Sequence, residues 1–173
     1  MMKKVLLFGA FFAFLGMSAF AQEAAEEGVT QEDLTKFANV EVMTAVFVEN
    51  KTEELKNMIL KNEVIEGGAR YNEIKAAWGD DAKMAEANVT DEEKAAFQKI
   101  QDFQGSLQKG AIEYKTELIK NDSILGVSIY NKVNEARKSD PSVKEQLDAL
   151  VAELKAKADA EKEGTAEDAS DEK

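Results

Sequence analysis

From Thr90 onward the apolar residues Phe97, Ile100, Phe103, Leu107, Ala111, Tyr114 and Leu118 recur every three or four positions, and this spacing constrains the chain more than any other feature. A period near 3.6 places all seven on one stripe of a helix of about 30 residues, whereas a strand would scatter them over both faces. The same plan stands sixty residues earlier. Val29-Thr30 matches Val89-Thr90, Phe37 matches Phe97, Val40 matches Ile100, Met43 matches Phe103, Phe47 matches Leu107, and Met58-Ile59 matches Leu118-Ile119. At an offset of 59, Gly67 matches Gly126, Tyr71-Asn72 matches Tyr130-Asn131, Ile74 matches Val133 and Asp81 matches Asp140. Two copies of a long helix plus a short one predict an all-α, bundle-like fold: two related helical hairpins packed on each other, followed by a C-terminal helix.

Helix start signals agree with this plan. Thr30 precedes Gln31-Glu32-Asp33, and Thr90 precedes Asp91-Glu92-Glu93, a capping box in which threonine and glutamate satisfy each other's end of the backbone. Asp140-Pro141 pairs an N-cap carboxylate with the one proline, at the first helical position where its missing N–H costs nothing. A short helix is predicted to open near Gly126 and carry Ile129, Tyr130 and Val133, and the Asp140 helix carries Val143, Leu147, Leu150, Val151 and Leu154. The stretch Val40–Val48 is rich in β-branched residues and in isolation reads as a strand. Its counterpart from Ile100 has helical period and no partner strand is evident, so it is assigned to helix. Beyond Lys157 no large apolar residue remains, which predicts a disordered acidic tail over 157–173.

The N-terminus reads Met1-Met2-Lys3-Lys4, then runs apolar from Val5 to Phe20 and closes with Ala19-Phe20-Ala21. A basic start, an apolar run too short to span a bilayer and small residues at the cleavage box predict a signal peptide over 1–21 and export to the periplasm or medium. A linker (22–29) then leads into a helical domain over 30–156, with halves 30–88 and 89–156. The chain has no cysteine and no histidine, which excludes disulfides, thiol and imidazole catalysis, and zinc sites built on sulfur or nitrogen. Loss of Lys3 and Lys4 leaves 20 basic against 34 acidic residues, hence a net charge of −14, which argues against nucleic acid or an anionic membrane surface as a partner. No cofactor or metal is expected.

Thr-(Asp/Gln)-Glu-(Glu/Asp) followed by phenylalanine, the long amphipathic helix, Tyr-Asn-x-(Ile/Val), and Ser139-Asp140-Pro141 before a last helix together resemble the bacterial exported domain of unknown function DUF4168, in two tandem related halves. The likeness covers most of 29–154 and is best from Leu125 to Pro141. The chain departs from the family pattern at Gly67 and Gly126, where the family has threonine or serine, and at Gly79-Asp80-Asp81, which lacks the Ser-Asp-Pro signature. The resemblance implies an all-helical exported fold and brings no activity or catalytic residues.

Few residues suggest chemistry. The pairs Tyr71-Asn72 and Tyr130-Asn131 recur in both halves, but phenol and amide are poor bases and read as packing. The abundant carboxylates, such as Glu53-Glu54 and Glu92-Glu93, read as caps and solvated faces, and the runs at Asp80-Asp81 and Asp122 lack the alternating ligands of a calcium loop. Trp78 reads as a half-buried sealing residue. Most suggestive are Val42, Val46 and Val48, which stand where the second half has Asp102, Ser106 and Gln108. This apolar surplus is a core face under the Asp140 helix, a surface for a second copy, or a face for a client chain or apolar ligand. The expectation is a non-enzymatic exported protein that binds hydrophobic segments in a holdase-like or stress-related role. The alternatives are a hydrolase using an Asp/Glu pair, and a structural, oligomeric envelope component.

Overall fold

The computed structural model describes residues 28–168, with side chains through residue 162. The expected signal peptide and the last five residues of the expected tail lie outside the described residues. Six helices follow one another: α1 (Gln31–Leu60), α2 (Gly68–Ala77), α3 (Asp81–Glu86), α4 (Asp91–Lys120), α5 (Val127–Ser139) and α6 (Pro141–Asp168). The described residues contain no strand, and Val40–Val48 is helical within α1. No helix among them is long and apolar enough to cross a membrane.

Helices α1 and α4 each start with a capping box. Thr30 Oγ1 accepts the Asp33 N–H at 3.1 Å while Asp33 Oδ2 accepts the Thr30 N–H at 3.0 Å, and Thr90 with Glu93 does the same at 3.1 and 2.8 Å. Each box satisfies two amide donors that a helix start otherwise leaves to water. The short helices α2 and α5 instead begin after Gly67 and Gly126, at φ 91° and 83°. Such angles strain a residue with a Cβ, which accounts for glycine at both positions. Ile65 matches Leu125 at an offset of 60, and Gly67 matches Gly126 at 59, so Glu66 is the one extra residue, and it sits in the left-handed region at φ 55°.

Two sequence expectations need correction. The first-half counterpart of the Asp140 cap is Asp80 rather than Asp81: Asp80 Oδ1 accepts the Ala82 and Lys83 amides at 3.1 Å each, because the turn at Gly79 (φ 81°) sets Asp80 at the N-cap. The chain beyond Lys157 also remains helical, as far as Asp168. Its alanine, lysine and glutamate are strong helix formers, and Lys155–Asp159 and Lys157–Glu153 pair one turn apart.

The helices α1 and α4 run antiparallel: Glu41 meets Lys115 at 2.7 Å, the Phe47 and Tyr114 rings stack at 4.4 Å, and Lys51 stands over Phe103. Helix α1 also packs along α6, so it lies between two long helices. Cores form at opposite ends of the α1–α4 pair. One gathers Leu34, Phe37 and Val40 of α1 with Leu118, Leu125, Val133 and Leu147. The other gathers Ile65, Tyr71 and Ile74 with Val89, Phe97 and Ile100 of α4. Each large side chain so buried contributes about 1.5–3 kcal/mol, offset by the entropy of ordering the chain.

Candidate functional site

Ring contacts and ion pairs cross from one half of the sequence to the other. Phe37 stacks on Tyr130 of α5 at 5.6 Å, and Phe97, sixty residues later, packs on Tyr71 of α2 at 5.2 Å. The cap acid Asp33 pairs with Lys132 of α5 at 2.7 Å, and the cap acid Glu93 pairs with Arg70 of α2 at 2.6 Å. Arg137 lies over the Phe37 ring at 5.3 Å, while Trp78, at the matching place in the first half, packs on Phe97 at 4.5 Å. Each short helix therefore closes on the long helix of the opposite half.

Arg70 is the most heavily engaged polar group. Its Nε and Nη2 donate to the two Glu93 oxygens, Nη1 donates to Glu73 (2.7 Å) and to the Ala87 carbonyl (3.0 Å), and Nη2 also reaches the Asn88 carbonyl (3.3 Å). A guanidinium has five N–H groups, and all five are used. The Arg70 bonds hold the Glu93 carboxyl down to about 2, against the opposing pull of its burial, with the Thr90 amide helping. Val64, Glu66 and Ala69 edge an open groove of about 670 Å3 beside this cluster. Its charges are spent on holding α2, the connector and α4 together, which leaves no cationic fork facing outward for an anion.

The three valines are distributed over α1 rather than gathered on one face. Val42 is buried at 7 % exposure, Val46 is half-buried and Val48 is 44 % exposed. Val42, Val46 and Glu49 follow at i, i+4 and i+7, so they share a stripe, and Val48 points about 200° away from Val46. Glu49 meets Lys155 and Lys162 of α6 at 3.7 and 3.4 Å, so this stripe faces α6. Sixty residues on, Asp102, Ser106 and Lys109 are all exposed, and the element after that half's partner, α3, has six residues and none buried. The surplus valines of α1 go with the presence of a long cover that α4 lacks. Sequence spacing shows the asymmetry and offers the Asp140 helix, α6, as one of three covers; the ion pairs that single it out join residues more than a hundred positions apart.

The remaining candidates are structural in their placement. Tyr71 is buried and its hydroxyl accepts from Gln101 Nε2 at 3.1 Å, Tyr130 is half-buried, and Asn72 and Asn131 face solvent. Burial raises the Asp33 carboxyl, but bonds from Lys132 and Thr30 outweigh it and hold the group below its ordinary range. The Lys83 and Ala82 amides lower Asp80. Among the described residues no three carboxylates converge as ligands for a metal ion. Glu53 and Glu54 each pair with a lysine three residues away on the surface of α1.

Fold and site together define an all-α bundle whose polar clusters are helix caps and inter-half latches. Comparison of the chain with protein-family models, curated proteins and solved structures returns no match.

Proposed function

We propose that the mature chain acts outside the cytoplasm as a non-enzymatic binding protein, holding an amphipathic apolar segment on the α1 face that α6 covers. The observation that carries this reading is the Val42–Val46–Glu49 stripe beneath α6. Helix α6 is anchored by buried Leu147 and by half-buried Val143, Leu150, Val151 and Leu154, all in its first half. Past Leu154, Lys155 and Lys162 pair with Glu49 of α1, and exposed ion pairs of this kind contribute about 0–1 kcal/mol each. A cover fixed at one end and weakly tied at the other can yield to a helix of similar pattern that carries apolar residues for the Val42–Val46 stripe.

Against a carboxylate hydrolase stands the direction of the displaced acids. Such an enzyme needs one carboxyl raised so that it stays protonated as the acid, whereas Asp33, Asp80 and Glu93 are all lowered. The test is Glu49→Lys, which sets three cations together and loosens the second half of α6. The expected result is stronger binding of a hydrophobic dye and slower aggregation of an unfolded client protein, at unchanged helix content. Val42→Asp with Val46→Asp should abolish client protection in chains that remain folded. Equal dye binding and equal protection in Glu49→Lys and wild type overturn the reading.

A further inference from the structure

We infer that two copies of this chain exchange halves, with α1 and α2 of one copy closing on α4, α5 and α6 of the other, and with the segment 79–86 as the hinge. The inference is independent of the client-binding reading.

It begins from where the ring pairs and long-range ion pairs lie. Phe37–Tyr130, Phe97–Tyr71, Asp33–Lys132, Arg70–Glu93 and Glu41–Lys115 all join residues of 30–88 to residues of 89–156. The buried clusters are likewise completed across that boundary: Leu118 and Val133 complete the core around Phe37, and Phe97 and Ile100 complete the core around Ile74. A half must therefore find a complementary half to close its core, and the other half of a second copy presents the same atoms as its own.

The connector suits a hinge. Helix α3 is six residues long with no buried residue, and Met84 is its apolar lean on the adjoining core. It is bracketed by two left-handed residues, Gly79 at φ 81° and Asn88 at φ 50°. Short connectors of bent backbone between mutually dependent units are the setting in which exchange between copies occurs. The pairing is reciprocal, so two chains satisfy each other completely and the assembly closes as a two-fold dimer. A short linker gives its own half an effective concentration in the mM range, so the intrachain form holds at dilution. Two chains of net charge −12 repel, so added salt favours the exchanged form.

The test uses the absence of native cysteine. One full-length chain carries Glu41→Cys and another Lys115→Cys, replacing two half-exposed partners that meet at 2.7 Å across the halves. The chains are unfolded together, refolded at about mM concentration in high salt, and treated with a short bis-maleimide. The expected product is a mixed, helical, two-chain species whose yield falls on dilution. A control pairing Glu41→Cys with Lys56→Cys, an exposed residue of α1, should give little of it. Asp33→Cys with Lys132→Cys repeats the test at the other end of the bundle should either first variant fold poorly. Products that are all single chains, or a control yield equal to the test yield, overturn the inference.

Discussion

Arg70 and Glu93 meet through two parallel hydrogen bonds, Nε to Oε1 at 2.6 Å and Nη2 to Oε2 at 2.8 Å, and the same carboxylate caps α4 through the Thr90 amide. One acid thus starts a helix and ties it to the opposite half. Arg70→Ala leaves Glu93 charged with a side chain only 10 % exposed, and the expected loss is about 2–3 kcal/mol. Arg70→Lys keeps the charge but not the fork, and about half of that loss is expected. Urea midpoints at constant slope are the measurement, since an unchanged slope shows that stability rather than compactness has moved.

The same pair sets an acid limit. A carboxyl held near 2 in the folded chain and near 4.5 when unfolded binds its proton more readily in the unfolded state as pH falls. Its contribution is complete above about pH 5, because the unfolded group is then ionised too, and is lost as pH drops through the folded value. Stability of the wild type should fall between pH 5 and pH 2. Glu93→Gln should be less stable at pH 7 and visibly flatter over that interval; parallel curves for the two proteins would remove Glu93 as a source of the slope.

Trp78 and Arg137 occupy matching places on matching phenylalanines, one by ring packing and one by a cation over the ring. Trp78→Ala should cost about 1–2 kcal/mol from lost aromatic contact, and Trp78→Arg should recover part of it by using the geometry that Arg137 uses. Arg137→Ala should cost about 0.5–1 kcal/mol. Thermal midpoints rank the three variants, and an equal cost for Trp78→Ala and Trp78→Arg would show that the two places are not equivalent in chemistry.

Backbone angles make a fourth prediction, with opposite signs at one position before α2 and one before α5. Glu66→Gly relieves a left-handed residue and should stabilise by about 0.5–1 kcal/mol. Gly126→Ala should destabilise by about 1–2 kcal/mol, because φ is 83° and the new Cβ would stand 3.0 Å from Asp122 Oδ1. Chemical denaturation of the two variants side by side checks both signs.

Much of the fold is readable from local chemistry. The stripe from Phe97 to Leu118, the Thr30 and Thr90 caps and the Asp140-Pro141 start rest on interactions within four residues, and the helices begin where those residues place them. The misplaced elements also have local causes. Asp81 reads as well as Asp80 for a cap until the turn at Gly79 is known, and the tail beyond Lys157 lacks apolar residues yet keeps the helix formers that extend α6. What the spacing hides is which half serves which. Arg70 and Arg137 are the only two arginines among 22 basic residues. Their scarcity, at the two short helices where a planar fork or a stacked cation is needed, was a signal available in the sequence. Glu49 had no such mark, since only the third dimension brings Lys155 and Lys162 to it.

The position of α1 between α4 and α6 has a consequence in time. A chain grows from its N-terminus at about 5–20 residues per second, so the roughly 90 residues from Leu60 to Leu154 take about 5–20 s to appear. Throughout that interval Val42 and Val46 have been made but lack the helix that later covers them, and for most of it the Phe37 ring lacks Tyr130. The first helix produced is the last one completed, and its apolar stripe waits in the open longer than any other part of the molecule.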